Sequence, residues 1–242
     1  MATFLAVHGA WHGGWSFEPL REGLEARGHR LLAPDLQGTG DDAALARTTL
    51  ADWADQVAQA ARAETRPVIL CGHSRGGIVI SEAAERAPEA IASLVYITAF
   101  LVPNGGCLAD FAGNRSAEFT AGLTPVAGGA AVAVSSAAAI GAFYHRTPPA
   151  LAQAAAARLV PEPTRIRATP LALTQERYGS IPRHYIECAD DRMIPLETQR
   201  AMHRQAGVAS VATLDSDHSP FLSCPAALVD KLDEIARLYG GS

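Results

Sequence analysis

Residues 68–80 read "VILCGHSRGGIVI", and one serine in this stretch decides how the chain is read. Val68 to Cys71 is a short apolar run with the length of a buried strand. Ile78 to Ala87 continues a helix that opens at the serine. Between them lies Gly72-His73-Ser74-Arg75-Gly76, the pattern G-x-S-x-G. A strand that turns sharply into a helix holds the central side chain out over the sheet, on a strained backbone. A Cβ at Gly72 or Gly76 would collide with the neighbouring chain, which accounts for both glycines. Ser74 Oγ would stand near a helix N-terminus, where exposed N–H groups favour developing negative charge. A lone G-x-S-x-G carries little weight, because glycine and serine are common in turns. The strand before it and the helix after it supply the needed context.

The same alternation runs outward from this turn. Thr3 to Val7 and Arg30 to Ala33 read as strands, with helical spacing from Ser16 to Arg27 between them. A loop at 37–48 precedes an amphipathic helix, Leu50 to Ala63, with Trp53, Val57 and Ala61 on one face. Leu94 to Thr98, Tyr185 to Glu187 and Val211 to Leu214 read as further strands. Helices fall near Leu196 to Gln205 and from Pro225 to Tyr239. Apolar strands alternating with helices predict a parallel sheet covered on both faces, an α/β fold.

Residues 104–182 break the rhythm with "VAGGAAVAVSSAAAIGA" (126–142) and "PEPTRIRATP" (161–170). They show no clear strand and several short helices, notably Pro149 to Leu159. An insertion late in an α/β sheet falls at the carboxyl ends of the strands, as a lid over the site. The segment 183–242 is too short for an independent domain and supplies the last strands of the first. The expected division is therefore a core of residues 1–103 and 183–242 with a cap at 104–182.

Composition narrows the function. The chain of 242 residues is 48% hydrophobic, enough for one full core, and carries a formal net charge of −5. That acidity speaks against a nucleic-acid or anionic-membrane partner. The opening "MATFLAVHGAWHGG" has no positive region and meets glycine early, so no signal peptide is expected. No segment approaches the ~18 uninterrupted apolar residues of a membrane span. Cys71, Cys107, Cys188 and Cys224 are scattered and lack metal-site spacing, as reduced packing thiols of a cytoplasmic protein would.

Serine needs a base, and the base an orienting carboxylate. In folds with such an elbow the acid and then the histidine follow the serine in the chain. "YIECADDRMIP" (185–195) puts Asp190 and Asp191 just past a strand, and "VATLDSDHSPFLSCP" (211–225) puts His218 in the loop after the last one. The other histidines fit worse. His8 and His12 precede the serine, His29 opens a strand, and His73 lies in the turn itself. His145 lies in the insertion, while His184 and His203 sit at a strand start and inside a helix. An oxyanion needs two N–H donors. One falls to Arg75, after the nucleophile, and the other to Ala10 in "VHGAWHGGW" (7–15), after the first strand. The Arg75 side chain is expected to point away from the site. Trp11 and Trp15 either line a pocket or pack.

"HGAWHGGW", "GHSRGG", "YIECADDRMIP" and "DHSPFLSCP" resemble the α/β-hydrolase branch that holds plant methylesterases, plant hydroxynitrile lyases and bacterial carboxylesterases, insecticide-ester-degrading ones among them. "TPLALTQERYGSIPRHYI" (169–186) extends the resemblance through the end of the insertion. It implies an α/β-hydrolase fold, a mostly parallel eight-stranded sheet flanked by helices, with a helical cap over Ser74. It implies frequent homodimers. In that branch the acid aligns with the second carboxylate, here Asp191, with Asp190 the alternative from the residue count to Ile194-Pro195. The implied activity is hydrolysis of small to medium hydrophobic carboxylic esters by Ser74, His218 and Asp191, with no metal or organic cofactor. Gly9, Trp11, Phe100, Phe119, Phe143, Tyr144 and Phe221 are candidates for the pocket wall, as is Phe111.

Two departures separate the chain from the lyases of that branch. Those carry a threonine after the first-loop histidine and a lysine after the catalytic one. Here the positions hold Gly9 and Ser219. A hydrolase is therefore expected ahead of a lyase. The non-enzymatic rival is a small-ligand receptor of the same fold.

Overall fold

Six apolar runs pair side by side into one sheet. The computed structural model describes residues 1–114 and 116–239. Its strands in chain order are β1 (Thr3–Val7), β2 (Arg30–Leu32), β3 (Val68–His73), β4 (Ile91–Ile97), β5 (Leu123–Val126), β6 (Ala131–Val134), β7 (Glu162–Pro163), β8 (Arg183–Cys188) and β9 (Ser210–Leu214). The main sheet has the order β2-β1-β3-β4-β8-β9, and every pair in it is parallel. Leu70 stands between Leu5 and Leu94 in register, and β3 is buried along its whole length. Parallel pairing demands crossovers, and helices Leu50–Arg62, Gly76–Arg86, Leu196–Ala206 and Pro225–Tyr239 supply them or close the chain.

The eight strands implied by resemblance are a correction: the sheet has six among the described residues. The six are those that the residues themselves spell out. No apolar run stands for the other two.

Local chemistry sets the helix ends. Leu50–Arg62 starts with a capping box, in which Thr49 Oγ1 accepts from the Asp52 N–H (3.2 Å) and the Asp52 carboxylate accepts from the Thr49 N–H (2.8 Å). Such a cap contributes about 1 kcal/mol. The helix then buries Leu50, Trp53, Val57 and Ala61 on one face. The single helix expected over 16–27 is instead a 3₁₀ stretch, Gly14–Leu20, followed by the short α-helix Arg21–Glu25. Pro19 lies inside the 3₁₀ stretch and lacks the N–H that an α-helical ladder needs. The loop expected at 37–48 holds one short helix, Asp42–Leu45.

The insertion after β4 is not purely helical, which corrects the second expectation. β5, β6 and β7 form a small antiparallel sheet, accompanied by helices Ala117–Ala121, Ser136–Phe143 and Pro149–Ala156. Ala127, Gly128 and Gly129 turn between β5 and β6 at φ of 49°, 66° and 90°. Strands of two to four residues carry too little alternation to read.

Winding direction changes at β1, which has β2 on one side and β3 on the other. A crevice opens outside the carboxyl ends of the strands at such a switch point. Ser74 follows β3, Asp191 follows β8, and His218 follows β9, all at that edge. No helix among the described residues is long and apolar enough to cross a membrane.

Candidate active site

The turn after β3 is over-determined. Ser74 has φ 52°, a left-handed value that costs a non-glycine residue of order 1 kcal/mol or more. Its N–H donates to Ile97 O (3.4 Å), and its carbonyl accepts from the N–H groups of Gly77 (3.1 Å) and Phe100 (3.0 Å). A Cβ on Gly72 would stand 2.8 Å from Gly76 O, and one on Gly76 only 2.5 Å from Val7 O. Glycine at both positions lets the helix start directly against β1 and β3.

His218 and Asp191 reach Ser74 from the two neighbouring strand ends. His218 Nδ1–H donates to Asp191 Oδ2 (2.7 Å). That tautomer leaves Nε2 free to accept from Ser74 Oγ (2.9 Å). Asp191 is itself held. Its Oδ1 accepts from the N–H groups of Met193 (2.6 Å) and Ile194 (2.9 Å), and Thr98 Oγ1 donates to Oδ2. Thr98 sits at φ 34° at the end of β4, another strained residue beside the site. Sequence reasoning missed it, although it is the first residue past an apolar strand at the same edge. Asp190 lies on the surface beside His145 and Arg146. The His218 loop is braced from below, because His73 Nε2–H donates to His218 O (2.7 Å). Asp217 ties it to the insertion by accepting from the Arg146 N–H (2.9 Å) and from Thr147 Oγ1 (3.3 Å).

The first loop lies across Ser74. Among the described residues no partner takes the backbone N–H of Ala10 or of Arg75, and both residues line the pocket above Ser74. The residues flanking Ala10 are clamped by a buried ion pair. Arg75 Nε donates to Glu162 Oε1 (2.9 Å) and Arg75 Nη2 to Gly9 O (3.0 Å). The Trp11 N–H donates to Glu162 Oε2 (3.2 Å). The side chains of Arg75 and Glu162 are 3% and 6% exposed. Arg75 also stacks over Trp53, with Cζ 4.2 Å from the ring. Its side chain therefore runs toward the insertion, against expectation, because a buried carboxylate waits there. Trp11, at φ 62°, is pinned further by Nε1–H to Val132 O (2.8 Å) and by its own carbonyl, which accepts from Val160 N–H (2.9 Å).

Three more imidazoles lie in and beside the loops that carry Ser74 and His218. His8 donates from Nδ1 to Gly9 O, and His12 from Nδ1 to Ala10 O. Nε2 of each then accepts, from the Leu36 N–H and the Tyr144 hydroxyl. Burial pulls both down from 6.5 to about 3, and pulls His73 well below its ordinary value. They stay neutral at working pH. Sequence reasoning set all three aside as surface or packing residues, and all three are buried.

Over Ser74 lies a pocket of about 620 Å³, counted with its open mouth. Trp11, Phe100 and Phe143 line it as expected, together with Phe111, Leu108, Met193 and His12. Glu162 and Arg167 add a charged end that the sequence did not disclose. Gly9, Phe119, Tyr144 and Phe221 stand behind the wall, which corrects four candidates. A Cβ on Gly9 would come 2.8 Å from His73 Nδ1. Phe119 packs on Trp11 and Phe143, Tyr144 bonds to His12, and Phe221 packs on His73 and Phe17. Trp15 packs against His12, with Arg158 over its ring.

A serine hydroxyl, an imidazole of fixed tautomer, a carboxylate and two free N–H groups thus meet under one pocket. The set has the parts that acyl transfer requires. A model of the alpha/beta hydrolase family matches residues 4–231. A carbendazim-hydrolyzing esterase of Nocardioides sp. is 43% identical over 111 residues, 45% of this chain and 46% of that protein. That match spans about half of each. Methylesterase 7 of Arabidopsis thaliana is 30% identical over 98% of this chain and 96% of its own length. A crystal structure of the pyrethroid hydrolase PytH with BIF superposes at a TM-score of 0.86, with 27% identity and all of both chains covered.

Proposed function

The chain belongs to the alpha/beta hydrolase family, and from that premise we propose that it is a serine esterase with Ser74 as nucleophile, His218 as base and Asp191 as the acid that orients it. It is a hydrolase of the carboxylesterase type. His218 Nε2 takes the Ser74 proton as Oγ attacks an ester carbonyl. The oxyanion is met by the N–H groups of Ala10 and Arg75. His218 then protonates the leaving alcohol, and the same histidine activates the water that releases the acid. Asp191 holds the imidazole in the tautomer that both steps need. The insertion, residues 104–182, acts as the cap and walls the pocket with Phe143, Phe111 and Leu108. That wall suits small to medium hydrophobic esters.

The observation that supports this reading most directly is the unbroken line Ser74 Oγ to His218 to Asp191, at 2.9 and 2.7 Å. Ser74→Ala tests it. Phenyl acetate hydrolysis should fall by ~10⁴ or more, with the circular dichroism and unfolding midpoint kept. A variant retaining half of the wild-type rate would remove Ser74 from the chemistry.

A further inference from the structure

The charged end of the pocket points to a substrate class. Arg167 lies on the short 3₁₀ turn Arg165–Ala168 of the insertion, half-buried, and lines the pocket that holds Ser74. Among the described residues no carboxylate or other acceptor bonds to its guanidinium. Burial lowers its hold on the proton, and Glu162 is the carboxylate whose charge opposes that. Arg75 lines the same pocket, is 2% exposed, and has Nη1 buried without a partner. Glu162 is already committed, with both oxygens accepting from Arg75 and Trp11. The charged residues of the lining thus carry two guanidinium groups against one carboxylate, a net positive charge beside the apolar wall.

A guanidinium facing a buried pocket is costly unless something pairs with it. Five fixed N–H donors suit a carboxylate better than any neutral group. Trp11, Phe100, Leu108, Phe111 and Phe143 lie in the wall that Ser74 and this cationic end share. An apolar spacer between ester and carboxylate would lie along that wall. We propose that the preferred substrates are esters carrying a second, free carboxylate, bound by Arg167. This rests on the esterase reading of Ser74 and names the substrate class of that same site.

The test is a series of monomethyl esters of linear dicarboxylic acids with about four to eight carbons, each against its dimethyl ester, near pH 7.5. The series lets the spacer length that joins Ser74 to the cationic end declare itself. At the best length the half-ester should exceed the diester in kcat/KM by about ten- to hundredfold, mostly through KM, the range carried by a hydrogen bond to a charged group. In Arg167→Met that ratio should fall toward one, and Arg167→Lys should restore part of it. Diesters preferred at every length, or a ratio unchanged in Arg167→Met, would overturn the proposal. A general structural role for Arg167 lowers both esters together and leaves the ratio alone. If the wild type cleaves neither ester, the esterase reading fails instead. Calorimetric titration with the free dicarboxylates then decides the anion site by itself. Binding lost in Arg167→Met supports it, and binding absent or equal in both proteins overturns it.

Discussion

Replacing Glu162 by glutamine removes one negative charge and keeps the shape, and it should damage both stability and turnover. The carboxylate offers two oxygens to three donors: Arg75 Nε, Arg75 Nη2 and the Trp11 N–H. An amide offers one oxygen and an NH₂ group. Whichever way it turns, a donor faces a donor. With the partner neutralised, Arg75 keeps only Gly9 O and the Trp53 ring, in a site almost closed to water. Breaking a buried pair on one side costs about 3–5 kcal/mol, because a charge is left behind. For a chain of this length that lowers Tm by roughly 6–20 °C. The same change removes the carboxylate that holds the Trp11 N–H beside Ala10 and loosens the Arg75 side chain that holds Gly9, so the Ala10 N–H loses part of its aim. Loss of one oxyanion donor typically costs ~10² to 10³ in kcat. Urea unfolding followed by tryptophan fluorescence and steady-state kinetics on phenyl acetate read the two effects. The double variant Arg75→Met/Glu162→Met separates them, since an apolar pair of similar size is often neutral for stability. It should recover the unfolding midpoint and stay slow. A Glu162→Gln protein within 1 kcal/mol of wild type and with more than half its kcat would refute the clamp.

Three further outcomes are expected. Asp191→Asn should lower kcat by roughly 10⁴, because His218 would lose the acceptor that fixes its tautomer, while the surface change Asp190→Asn should stay within a few-fold, and the reverse ranking would move the acid. Acid should destabilise the fold: His8 and His12 bind a proton near 6.5 when unfolded but only near 3 when folded, so stability is full above 6.5 and falls below it. From pH 7 to pH 5 each contributes a loss of about 2 kcal/mol, and equal urea midpoints at the two pH values would contradict their neutral burial. Mandelonitrile should release no enzyme-dependent cyanide near pH 5.5 above the rate of phenyl acetate hydrolysis, since Gly9 has no room for a hydroxyl side chain and the Ser219 N–H is already bound to Asp217.

The side chains proposed to react were legible because each follows an apolar strand, and parallel strands deliver their ends to one edge. Ser74, Asp191 and His218 needed no knowledge of contacts across 144 residues. The strands read from residues survive as the sheet, and the two added by likeness do not. The pocket wall was half legible. An apolar side chain such as Phe119 or Phe221 reads the same in front of the wall as behind it, and only the packing on Phe143 or His73 tells which. Glu162 was illegible for another reason. In "PEPTRIRATP" it reads as a solvated charge between prolines, and the partner that buries it lies 87 positions away. Thr98 differs again, since nothing in a strand-end threonine announces a left-handed backbone.

Arg75 ties these parts into a constraint on how substrate enters. Its N–H follows Ser74, its Nε and Nη2 hold Glu162 and Gly9, and its Nη1 is buried without a hydrogen-bond partner. If the whole insertion swung away from the core, Glu162 would leave with it and a buried guanidinium would lose its partner. The Trp11 contacts to Val132 and Val160 would break in the same movement. An opening that costs about 3–5 kcal/mol is populated at only ~10⁻² to 10⁻⁴. Rigid-body opening is therefore a poor route to the site. Among the described residues no ion pair ties Leu108, Phe111 or Met193, or their chain neighbours, to the first loop. Entry there would leave the Arg75–Glu162 pair and the loop it clamps in place, and would keep the N–H groups proposed as oxyanion donors aimed at Ser74.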